Sequence, residues 1–194
     1  MNCFATLKVQ LTATKTANRE RAKEENRAML WKSRVPLVKK GRQCMATKIY
    51  SEAAVSFEKY IRVIEIVFDV KPGELKPELF KDNAQVSELT VVASVFWDLL
   101  RVYDTHDKYR SRQDEAAEKL ALFIRFTPIF AEKKKKAESM VKSARNPAAF
   151  KAFLRSTQAT RPRCFIATAA YDNPWDPDIL FLVHYRDTHL MATC

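Results

Sequence analysis

The chain has 194 residues and a formal net charge of +11, with 47% hydrophobic and 29% charged residues. That balance builds a packed core and excludes a disordered chain. It holds two glycines, Gly41 and Gly73, which argues against a Walker loop, a GxGxxG dinucleotide fingerprint and a turn-rich all-β fold, because each needs glycine where backbone turns tightly or approaches phosphate. The expectation is an all-α protein.

Residues 5–32 read as a long helix of alanines and charges with a thin apolar stripe. Pro36, which lacks an N–H and crowds the preceding turn, is expected to interrupt it. Leu37, Gly41, Cys44 and Met45 recur on helical spacing. A second helix begins at Ser51 and carries Ala53, Ala54, Phe57, Tyr60, Ile61, Ile64 and Phe68 at intervals of three and four. Residues 69–83 hold two prolines and the second glycine and predict a connector, with a helical turn at 78–81. Residues 84–103 form the most apolar helix, expected at the centre. A turn at 104–107 leads to a helix over 108–126, ended by Thr127-Pro128. A basic helix follows over 129–145, and Asn146-Pro147 predicts a cap and restart into a short helix over 147–157. The chain thus divides into a basic N-terminal helix (1–36), a helical domain (37–160) and a C-terminal segment (164–194).

Charge is unevenly distributed. Residues 1–48 hold twelve Lys and Arg against three acids, a net +9, and residues 130–163 hold ten against two, a net +8. The middle, 49–129, and the tail, 164–194, are each net −3. Two basic segments therefore flank acidic ones, either as solvated faces or as a footprint for nucleic acid or an anionic membrane surface. Lys133, Lys134, Lys135, Lys136, Lys142 and Arg145 are the candidate anion-binding residues. The run of four lysines, at ~100° per residue, distributes around a helix and makes no one-sided patch.

Cys3, Cys44, Cys164 and Cys194 form no CxxC pair, and His106, His184 and His189 follow no zinc-binding spacing. Asp104, Asp107 and Asp114 do not follow the calcium-loop pattern. No metal and no cofactor is expected. The absence of an apolar run near ~20 residues argues against a membrane span, and reduced thiols in a cytosol are the expectation. A location in the cell envelope would need a leader ahead of this sequence.

The segment KIYSEAAVSFEKYI, with Tyr50, Glu52-Ala53, Phe57 and Lys59, and with Gly41 in the preceding helix, resembles a tetratricopeptide repeat. A second hairpin over about 86–126 matches through Ala116, Leu120, Phe123 and Pro128. Small residues in this pattern let paired helices touch while aromatics fill the space between turns. The resemblance implies a helical array that acts as a binding surface.

The segment Cys164-Phe165-Ile166-Ala167-Thr168-Ala169-Ala170-Tyr171, with Pro177-Asp178 and Tyr185-Arg186-Asp187 after it, resembles the CFI box near the C-terminus of many bacterial proteins. Asp172 stands where that family has glycine. The resemblance implies a docking, sorting or processing segment over 164–190. Arg161 and Arg163 would favour a Cys164 thiolate, which makes Cys164 a candidate reactive or modified residue, and a Cys164–His184–Asp187 triad is compatible with the composition.

The leading expectation is a non-enzymatic scaffold with no catalytic residues that binds a protein or peptide partner. Trp31, Tyr50, Tyr60 and Tyr103 are its candidate aromatic contacts. The alternatives are a basic nucleic-acid or anionic-surface binder and a Cys164-dependent enzyme.

Overall fold

A computed structural model describes residues 3–80, 83–125, 127–158, 181 and 185, with side chains over 18–80, 87–125, 127–157, 181 and 185. The described chain is all-α. Six α-helices, α1 (Cys3–Ala46), α2 (Tyr50–Val67), α3 (Asn83–Tyr103), α4 (Arg110–Ile124), α5 (Phe130–Met140) and α6 (Pro147–Gln158), are joined by short turns except between α2 and α3, where a longer connector runs over 68–82, and two single-turn 3-10 segments lie at Pro77–Leu79 and Asp107–Tyr109. The CFI-like segment, Cys164 and the Cys164–His184–Asp187 set lie outside the described residues, apart from Phe181 and Tyr185.

Short connections make α1 and α2, and α3 and α4, run antiparallel. α1 and α2 pair from Arg27–Asp69 at one end to Lys40–Glu52 at the other. Their contact rests on size complementarity. A Cβ on Gly41 would sit 2.5 Å from the Phe57 ring, so the glycine is the space that the aromatic fills. Ala53 and Ala54 are buried beside Phe57. α3 and α4 pair in the same sense, with Phe96 against Phe123 and Tyr103 against Tyr109. α1 and α3 run in the same direction, because Arg34 reaches Glu88 while Arg42, two turns on, reaches Ser94 and Asp98. Phe57, Tyr60, Leu100, Leu120, Phe123 and Phe150 are fully buried, and all but Phe150 come from α2, α3 and α4. Each such side chain contributes roughly 1.5–3 kcal/mol by leaving water.

Polar groups fix how the layers meet. Glu88 of α3 is buried and accepts from Tyr60 Oη of α2 at 2.7 Å and from Arg34 Nε of α1 at 2.9 Å. One carboxylate thus joins three helices. Burial, and then the neighbouring Glu88 charge, holds the Tyr60 hydroxyl far above the ordinary phenol range, so it stays a donor. At the other end of the stack, Asp104 accepts from the backbone N–H groups of Arg145 and Asn146 at 3.0 and 2.9 Å and from Gln113 Nε2 at 3.1 Å. That carboxylate ties the α5–α6 turn to the α3–α4 turn.

Two expectations are corrected. Pro36 does not interrupt the first helix; α1 passes through it unbroken. Pro36 lacks the N–H that would bond the Lys32 carbonyl one turn back, and both residues are exposed. Packing on both sides, through Arg34–Glu88 before it and Gly41–Phe57 after it, holds the helical path. A division of the chain after residue 36 therefore falls inside one helix. The basic helix α5 spans eleven residues, Phe130–Met140, rather than continuing to 145, because the residues after it turn back to reach Asp104.

α1 and α2 both stop without glycine. Lys48 (φ 62°) and Asp69 (φ 56°) take the left-handed position. Ile49 N–H reaches Cys44 O and Val70 N–H reaches Glu65 O, closing each helix in a Schellman turn.

Candidate partner-binding groove and cationic face

α3 carries a different surface on each side, and each surface follows from its helical register. Phe96, Leu99 and Tyr103 lie toward the seam between α2 and α4. There, with Ile61, Leu75 and Ala116, they line an open groove of about 680 Å³. Its floor is apolar and its rim is charged. Glu58 of α2 accepts from Tyr103 Oη at 2.6 Å and Arg112 Nη1 of α4 at 3.0 Å, closing one end. At the other end buried Glu65 accepts from Gly73 N–H at 2.6 Å and Arg62 Nη1 at 3.2 Å, and Lys119 donates to Gly73 O. Gly73 needs its glycine for the backbone, at φ +82°, which lets the loop turn its N–H back onto Glu65. Glu115 and Glu118 stand exposed on the α4 wall.

On the reverse side, α3 presents Ser94, Asp98 and Arg101 between α1 and α5. Arg42 Nη2 of α1 donates to Ser94 Oγ at 2.8 Å, and its Nε lies 3.6 Å from Asp98. Arg101 approaches the same carboxylate at 3.7 Å. Lys133 Nζ of α5 lies 5.9 Å from the centre of the Trp97 ring and adds its field to Asp98. Burial raises the Asp98 pKa above the ordinary carboxylate value, and Arg42, Arg101 and Lys133 oppose that rise. The two basic segments of the sequence, some ninety residues apart, thus meet at one buried acid.

The candidate aromatic contacts separate into two classes. Tyr60 is fully buried and bound to Glu88, and so is a core residue. Tyr103 is also buried, but its ring lines the groove. Trp31 and Tyr50 are half-buried, with the Arg34 guanidinium stacked 3.8 Å over Trp31. Among the candidate anion-binding residues, Lys135, Lys136 and Lys142 are exposed and Lys134 is half-buried. Lys133 is 15% exposed and Lys136 lies 2.5 Å from Glu132. Arg145 is engaged, its guanidinium donating to Thr105 O. Arg101 had no sequence signal, since it sits in the acidic middle. Glu58 and Arg112 were equally silent, since their pairing crosses two helices.

Among the described residues no group of His, Cys, Asp and Glu is arranged to hold a metal ion. The buried carboxylates Glu65, Glu88 and Asp98 each face a cationic side chain. No described helix is long and apolar enough to cross a membrane. Comparison of the chain with protein-family models, with curated proteins and with solved structures gives no match.

Proposed function

We propose that this protein is a non-enzymatic helical scaffold of tetratricopeptide-like design that binds a protein or peptide partner in the groove between α2 and α4. The observation that carries the reading is the groove itself, an apolar floor of Leu75, Phe96 and Leu99 set between charged walls. A floor of that kind takes up apolar side chains, and the rim sets orientation through charge. The Gly41–Phe57 contact and the shared direction of α1 and α3 support the repeat-like design. In this reading residues 164–190, through their CFI-box resemblance, serve as a docking, sorting or processing segment.

The test is selection from a displayed peptide library. Peptides retained by the protein should lose at least about tenfold in affinity when the groove is blocked by Ile61→Arg or its wall reversed by Glu118→Arg, roughly 1.4 kcal/mol. Circular dichroism should be unchanged. Peptides that bind both variants as tightly as the parent, or a library that yields none, would sink the reading.

A further inference from the structure

We propose that the face formed by α1, α3 and α5 binds the sugar-phosphate backbone of double-helical nucleic acid, independently of the groove on the reverse side. Two arginines from two helices, Arg42 and Arg101, share one buried carboxylate, Asp98, and Lys133 of α5 stands over the adjoining Trp97 ring, where its field reaches the same charge. Lys133 also meets Glu132 at 3.4 Å, and Glu132 pairs in turn with Lys136, so four cations on two carboxylates leave a surplus of two positive charges. Asp98 and Ser94 hold the Arg42 guanidinium in place, so little side-chain freedom remains to be lost on binding. The side chains of Arg42 and Arg101 nonetheless stay 53% and 44% exposed, which leaves N–H groups directed at solvent.

The charge continues along α1. At ~100° per residue, Arg21, Lys32, Lys39 and Arg42 fall within about 80° of helix circumference, an arc that holds one acid, Glu24, near its N-terminal end. Arg21, Lys32 and Lys39 are exposed. From Arg21 to Arg42 is 21 residues, or about 32 Å of helix, close to the ~34 Å turn of a duplex. A rigid cationic stripe of that length meets several phosphates at once.

Three alternatives fit less well. Single strands are held on exposed aromatic platforms, whereas Trp97 is 2% exposed beneath Lys133 and Trp31, half-buried at the edge of the stripe, is covered by the Arg34 guanidinium. An anionic membrane takes up helices with an apolar face opposite their charges, whereas the exposed apolar residues of α1, Met29 and Val35, lie beside and within the cationic arc and not opposite it. A short acidic peptide would engage part of the stripe and leave the rest unpaired. Base edges are not addressed by any groove-reading element here, so binding is to backbone and independent of sequence.

The experiment measures fluorescence anisotropy of the full chain with random-sequence DNA and RNA duplexes of about two helical turns. A matching single strand, phosphatidylserine vesicles and polyglutamate serve as comparison probes. Either duplex should bind at about 50 mM salt and weaken on the order of 100-fold by about 200 mM, as expected for about four phosphate contacts. The pair Lys32→Gln with Lys39→Gln should weaken duplex binding about tenfold and reduce the salt slope by about 2. Neither side chain joins the Asp98 cluster, so the fold is preserved. Lys59→Gln with Lys151→Gln, exposed on α2 and α6, should change affinity less than about twofold if the contacts are local. The proposal is overturned by absence of duplex binding at low salt, by equal effects of the two variant pairs, or by tighter binding of the single strand, vesicles or polyglutamate than of either duplex.

Discussion

Asp98 shows how one residue can oppose stability while placing function. It is buried among Arg42, Arg101 and Lys133, yet desolvation outweighs those charges and its pKa is raised from the ordinary 3.8. The folded state therefore holds the proton more tightly than the unfolded chain does. Protons bound in the native state exceed those in the unfolded state between the two pKa values, so stability falls as pH rises from about 3.8 through the folded pKa. Asp98→Asn removes this loss. Urea unfolding between about pH 4 and pH 7 should show the parent losing stability relative to Asp98→Asn as pH rises; parallel curves would contradict the account. Glu88 is the counterpart, a buried acid fully engaged by Tyr60 and Arg34. Its three-helix bridge fixes the register of α1 against α3.

At the scale of the element, the stack depends on how closely α1 and α2 approach. Gly41 costs α1 helical propensity, about 1 kcal/mol relative to alanine. That cost is tolerated because a Cβ there would lie 2.5 Å from the Phe57 ring, which is itself fully buried and cannot swing away. Gly41→Ala should accordingly destabilise the protein by about 1–3 kcal/mol, despite its gain in propensity. The check is the urea midpoint at constant m-value, and a double-mutant cycle with Phe57→Leu should give a favourable coupling energy. A Gly41→Ala variant more stable than the parent would show that the ring yields. This contact was legible in the sequence, because a glycine and an aromatic at matched positions in adjacent helices carry a packing signature. The path of α1 through Pro36 was not, because the forces that override proline come from α2 and α3. The Schellman turns at Lys48 and Asp69 were equally hidden: composition gave glycine as the usual left-handed residue, and neither position holds one.

For the whole molecule, the question is what keeps α5 and α6 attached to the helices before them. Phe150 packs edge-on against Trp97, and Asp104 accepts three hydrogen bonds that span the α3–α4 and α5–α6 turns. Asp104→Ala leaves those donors without their acceptor, at about 1–3 kcal/mol. Hydrogen exchange should rise first in residues 130–158, while α1 and α2 keep their protection; uniform loss across the chain would show that the turn is not a separate anchor. The same anchoring brings Lys133 to the α3 surface and so assembles the cationic face.

The helical class and most helix positions follow from the sequence alone, because periodicity and glycine scarcity act locally and need no partner. The basic segments were equally visible as stretches of charge. Their meeting at Asp98, the apolar groove on the reverse side and the burial of Tyr60 were decided by tertiary structure. Each depends on which faces of different helices are brought within a few ångströms, and that is set by packing between residues far apart in the chain.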